Sequence, residues 1–172
     1  MSRIKFNFNK QKAIETILYL TNKDGLITKM RLLKFVFFAD IYHINKYGRP
    51  ILGDCYCAMK NGPVHSSLYD MLKHNTSDYL IKNDKLIESL RGYDCEHFSK
   101  SDVEALEYAF NQYSQYETMQ LSELTHAHKA WSRAIERCPN SKNAPMKWED
   151  FFEDENSEDI PYLKEVSGRM VI

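Results

Sequence analysis

Residues 29–46 read as a helix that is apolar on almost every side: Met30, Leu32, Leu33, Phe35, Val36, Phe37, Phe38, Ala39, Ile41 and Ile44. A surface helix carries one apolar stripe, whereas a helix greasy all round is stable only when other elements enclose it. This stretch is therefore predicted to be the central core helix, with Thr28 as its N-cap. It is too short and too interrupted to span a bilayer. Its longest apolar run is residues 35–39, bounded by Lys34 and Asp40, against the roughly 20 residues that a membrane helix needs.

The remaining chain supplies the wrapping. Ala13, Ile14, Ile17 and Leu18 stand at helical spacing within residues 10–20, and Asn22-Lys23-Asp24-Gly25 ends that segment. After Tyr47-Gly48-Arg49-Pro50 the pattern in residues 54–60 becomes alternating, with Cys55, Cys57 and Met59 read as the inward face. Asn61-Gly62-Pro63 is a turn, and Pro63 is predicted to open a helix that buries Val64, Leu68, Met71 and Leu72. Residues 79–81 and 85–87 flank Asn83-Asp84 as a small hairpin. Ser101 and Glu104 have capping-box spacing at the start of a helix containing Val103, Leu106, Phe110 and Tyr113. Residues 119–124 and 127–137 are shorter helical stretches stopped by Pro139, and residues 145–152 form a last turn or two. The predicted class is α+β, mainly α: a compact helical domain with a few short antiparallel strands. Residues 1–152 are assigned to that domain, and residues 153–172, acidic and then loose in composition, to a mobile C-terminal tail.

Composition narrows the function classes. With 23 basic and 24 acidic residues, the chain gives no global reason to expect nucleic acid or an anionic membrane. A reading helix for DNA must present a polar face to the groove. Lys29, Arg31 and Lys34 supply charge, but on the greasiest helix of the chain. The first twelve residues lack the apolar core of an export signal, so the cytoplasm is the expected compartment and the four cysteines are expected as thiols.

No motif for catalysis stands out. Cys55-x-Cys57 and His126-x-His128 offer ligand atoms but not the spacing of the common zinc pairs. The six glycines form neither a dinucleotide fingerprint nor a phosphate loop. No serine elbow or protease-like cysteine signature is present. The reading is a non-enzyme without cofactor or metal.

The series Lys34-Phe35-Val36-Phe37-Phe38-Ala39-Asp40-Ile41-Tyr42-His43, Tyr47-Gly48-Arg49-Pro50-Ile51-Leu52-Gly53-Asp54 and Tyr56-Cys57-Ala58-Met59-Lys60-Asn61-Gly62-Pro63-Val64 resembles the signature of the SocA-like (Panacea) antitoxin family. The match continues through Leu68-Tyr69-Asp70-Met71-Leu72 and a later Leu121-Ser122-Glu123-Leu124-Thr125-His126 with Trp131. The resemblance implies an antitoxin of a two-gene system found in bacteria and prophages, whose partner is a cognate protein toxin neutralised by direct binding. Two alternatives come with it: an adaptor delivering the toxin to a ClpXP-type protease, and a DNA-binding autoregulator. His65 and Asn61 depart from the family pattern beside the Gly-Pro turn. With Tyr69, four residues after His65 on the predicted helix, and Arg49, they form the candidate partner-binding set. Asp40, His43, Asp54, His126 and Trp131 are the candidate structural network. Asp40 in a greasy helix needs a polar partner, and Arg49 and His43 are the expected ones.

Overall fold

A computed structural model describes residues 3–172 and builds the domain around the helix singled out above. That helix, α2 (Lys29–Tyr47), begins where the Thr28 side chain accepts the Arg31 amide at 3.2 Å. Leu32, Leu33, Phe35, Val36, Phe37, Phe38, Ala39 and Ile44 are all buried on it. Ahead of it lie α1 (Lys10–Asp24) and the short β1 (Ile27–Thr28). After it come β2 (Tyr56–Met59), β3 (Gly62–His65), α3 (Ser66–Met71), β4 (Tyr79–Lys82) and β5 (Leu86–Ser89). Then follow α4 (Lys100–Tyr113), α5 (Thr118–His126), α6 (Lys129–Arg137), β6 (Ala144–Pro145) and α7 (Asp159–Val166). The chain is mainly α, with two three-stranded antiparallel sheets ordered β1-β5-β4 and β3-β2-β6. Among the described residues no helix is long and apolar enough to cross a membrane.

The hairpin predicted across Asn83-Asp84 is present. Both residues take positive φ, 51° and 57°, the backbone that tight hairpin turns demand and that Asn and Asp tolerate. Arg31 braces the far side of α2 by donating to the carbonyls of Ser114 and Tyr116, at 2.6 and 2.5 Å, just before α5.

Three local expectations are corrected. Strand β2 buries Tyr56 and Ala58, not the cysteines, and Cys55 is exposed. The ring of Tyr56 fills the core against Phe37, Trp148 and Phe151, 5.1–5.7 Å between centroids, so the larger side chain decides the strand's facing. Pro63 lies inside β3, and α3 opens three residues later at Ser66. The capping box of α4 is Ser99 with Asp102, two residues before the predicted pair.

The segment after residue 152 holds α7, with Leu163 buried, and is hydrogen-bonded to the segment ahead of α1. Ser167 Oγ accepts the Lys5 amide at 3.0 Å, and Asn9 Nδ2 donates to the Ile172 carbonyl at 2.7 Å. Gly53 (φ +70°) sits beneath this junction, where a Cβ would collide with the Ile172 side chain and the Asn7 carbonyl.

Candidate functional site

The polar residues of the signature fall into three separate sets. The first centres on Asp40, which is 0% exposed. Its carboxylate accepts the Ile51 amide at 2.7 Å and the Tyr56 hydroxyl at 2.7 Å. Since the Tyr56 proton goes to Asp40, His65 Nε2 must donate to the Tyr56 oxygen. Burial, followed by the charge of Asp40, pushes the Tyr56 phenol well above its ordinary value. This set ties α2 to β2 and β3. Asp40 therefore meets Ile51, Tyr56 and His65, not the expected Arg49 and His43.

The second set gathers Arg49 and His43 around Asp102 of α4. Lys12 Nζ lies 2.9 Å and Arg49 Nη2 3.0 Å from its carboxylate. Burial acts to raise the Asp102 carboxyl, but the Ser99 amide, Lys12 and Arg49 hold it below the usual carboxylate range. His43 Nδ1 donates to the Arg49 carbonyl at 2.7 Å, leaving Nε2 to accept from the Ser101 hydroxyl at 2.9 Å. Burial lowers the His43 pKa, in keeping with that neutral tautomer. Asp54 forms a third, local set. Its oxygens accept the amides of Ser67 and Leu68 at 3.1 and 2.8 Å, satisfying the open N–H groups at the start of α3.

The turn between β2 and β3 is supported from below by the later part of the signature. Trp131 Nε1 donates to the Met59 carbonyl at 3.0 Å, and His126 packs on Trp131 with ring centroids 4.2 Å apart. Burial, then the neighbouring Lys34 charge, lowers the His126 pKa. Gly62 (φ +110°) passes so close to α2 and α5 that a Cβ would stand 2.5 Å from Thr125 Oγ1 and 2.6 Å from Lys34 Nζ. Glycine alone allows that approach.

Above this turn lies a cleft of about 320 Å³. Lys29, Met30, Leu33 and Lys34 of α2 form one wall, and Met59, Lys60, Asn61 and Val64 another. Tyr69 of α3, with Asp84 and Lys85 of the β4–β5 turn, closes the rim. Lys34 is 1% exposed, and its ammonium has one hydrogen-bond partner among the described residues, the Pro63 carbonyl at 3.4 Å. Burial pulls its pKa down to about 8, so it remains mostly charged at neutral pH. In the sequence Lys34 reads only as positive charge on the core helix and as one boundary of its apolar run. The available signal was its helical neighbourhood, since Met30, Phe37 and Phe38 lie one turn away on the same face.

The predicted partner-binding residues are thus divided. Asn61 and Tyr69 are exposed and share the cleft. His65 does not join them: it is 0% exposed, in the Asp40 set. Arg49 belongs to the Asp102 cluster on another side of α2. A second, wider cleft of about 810 Å³ lies between α2, α4 and α5, lined by Phe38, Tyr42, Tyr108, Tyr113 and Leu124. His128, at its base, accepts the Ala130 amide at 3.1 Å and caps α6. Burial brings its pKa down to about 4.

Fold and clefts define a small, mainly α domain whose polar signature residues brace a central helix and the β2–β3 turn. The family model described as antitoxin SocA-like, Panacea domain matches residues 32–132, from the core helix to the Trp131 that supports the turn. The chain belongs to that family. Comparison with curated proteins and with solved structures found no match.

Proposed function

We propose that this chain is the antitoxin of a toxin–antitoxin pair and neutralises its cognate toxin by direct protein–protein binding, without turnover. Membership of the SocA-like antitoxin family over residues 32–132 carries the reading. The surface supports it, because one cleft lined by three tyrosines and another lined by two methionines and Tyr69 suit a protein partner. Asn61 and Tyr69 are the contact residues we assign to that partner. His65 has no such role, being sealed beneath the turn.

The test is co-expression with the product of the adjacent gene. Growth should be restored, and the two proteins should co-purify as a stable complex. Continued toxicity with both proteins soluble overturns the reading. Rescue that disappears in a host lacking ClpXP, with toxin levels rising, would replace masking by delivery to proteolysis.

A further inference from the structure

Burying the Tyr56 ring turns the two cysteines beside it outward together. Cys55 and Cys57 alternate with Tyr56, so their side chains leave the same face of the strand. Cys55 is exposed, Cys57 is half-buried, and neither is in a disulfide. Both line one cavity of about 310 Å³. The β2–β3 ladder extends through Cys55, whose carbonyl accepts the Ser66 amide at 2.8 Å. Ser66 thus stands opposite Cys55, and its Oγ lies 3.6 Å from Cys57 Sγ. The strand therefore holds two accessible thiols on one patch of its outer face.

We propose that Cys55 and Cys57 form a two-thiolate site for monovalent copper. Thiolates select soft centres: Cu(I), zinc or iron–sulfur clusters. The number of donors separates them. Structural zinc and iron–sulfur clusters take four protein ligands. Among the described residues, no further cysteine, histidine or carboxylate completes a metal-binding group with this pair. Asp54, next in sequence, is buried and its oxygens accept the amides of Cys55, Ser67 and Leu68. His126 and His128 are engaged elsewhere, on Trp131 and at the cap of α6. Cu(I), by contrast, is satisfied by two sulfurs in line. The strand spacing suits it as well. Same-face neighbours stand about 6.6–6.8 Å apart along a strand, wider than the Cα separation of about 5.5–6 Å at which most disulfides close. An ion between the sulfurs fills that difference. As the two S–Cu bonds form, both thiol protons pass to solvent and the copper keeps its oxidation state. The resulting unit carries one negative charge. Arg3 and Lys5 line the cavity and, among the described residues, no carboxylate does, so that charge develops beside two cations.

The cavity shares no lining residue with the two clefts described above, so its test needs no toxin. The reduced full chain, carrying Cys95→Ser and Cys138→Ser to silence the other two thiols, is titrated without oxygen against the coloured bicinchoninate complex of Cu(I). The chain should withdraw a single copper ion and bleach the complex in proportion. X-ray absorption of the loaded chain should show two sulfur ligands at the metal. Adding Cys55→Ser or Cys57→Ser should each leave the colour in place. If Cys57→Ser does not fold, the exposed Cys55→Ser decides alone. Absence of bleaching by the chain with both thiols, or equal bleaching after Cys55→Ser, overturns the proposal. So does a copper-bridged dimer on size-exclusion chromatography, which takes one thiol from each of two chains, or an absorption spectrum with nitrogen or oxygen at the metal.

Discussion

The Tyr56 hydroxyl donates to Asp40 at 2.7 Å and is itself the acceptor for His65, so one phenol links a helix to both strands of a hairpin. Replacing it deprives two buried groups at once. Tyr56→Phe should cost about 1–3 kcal/mol, the range for leaving a buried polar group unsatisfied. Urea unfolding measures this as a lower midpoint at unchanged slope. Tyr69→Phe, which removes a rim hydroxyl, should stay within about 0.5 kcal/mol. Equal effects from the two variants would mean that the Asp40 set contributes nothing particular.

How these residues read in the sequence depends on what fixes them. The core helix was legible because ten apolar residues within one helical stretch leave no polar face, and its Thr28 cap is a local signal. The facing of β2 was not. Cys55, Cys57 and Met59 alternate with Tyr56 and Ala58, and both sets are apolar, so a period of two cannot say which one is buried. The capping box had two acceptable registers, Ser99–Asp102 and Ser101–Glu104, and Asp102 won because Lys12 and Arg49 converge on it. Asp40 demanded a partner on general grounds, but its partners come from residues 51, 56 and 65 through tertiary folding. Of the candidate contact residues, Asn61 and Tyr69 were found at the cleft. The burial of Lys34 was not legible, because it depends on the β2–β3 turn folding over its ammonium.

Asp102 holds two cations from different elements, Lys12 on α1 and Arg49 after α2. Removing it leaves both without a counter-ion. Asp102→Ala should cost about 3–5 kcal/mol, again read from urea unfolding. Adding Lys12→Met should recover part of the loss, because the uncompensated buried ammonium leaves with it. A double variant no more stable than Asp102→Ala would show that Lys12 and Asp102 are not coupled.

Acid should weaken the fold before its carboxylates titrate. The His128 pKa is depressed to about 4, and those of His43 and His126 are lowered, burial being the largest cause for each. Unfolded histidine takes up its proton near 6.5. Between that value and the folded pKa, the unfolded state binds more protons, so stability falls as pH falls. The lowered Asp102 adds its own loss only further down, as pH falls below the ordinary carboxylate range. Urea midpoints should therefore drop between about pH 6.5 and 4. His128→Asn, which keeps a capping acceptor but does not titrate, should make that decline shallower. An unchanged profile in the variant would exclude His128 as its source.

Lys34 predicts the opposite behaviour in alkali. Its pKa is about 8 in the folded chain, against the ordinary 10.5 of a lysine in the unfolded one. Below pH 8 both states are protonated, and the folded state bears the full cost of a buried charge. Between pH 8 and 10 the unfolded state binds the extra proton, so stability should rise with pH. Above about pH 10 the rise should end as tyrosines ionise in the unfolded chain, since burial keeps Tyr79 protonated to about 12. Lys34→Met should be more stable than the parent at pH 7, by at most about 3 kcal/mol. It should also lose most of the alkaline rise, as followed by urea unfolding across the pH series. A residue retained only for stability would behave in the reverse way, its removal costing free energy at neutral pH. An unchanged alkaline profile in Lys34→Met would exclude this buried ammonium as its source.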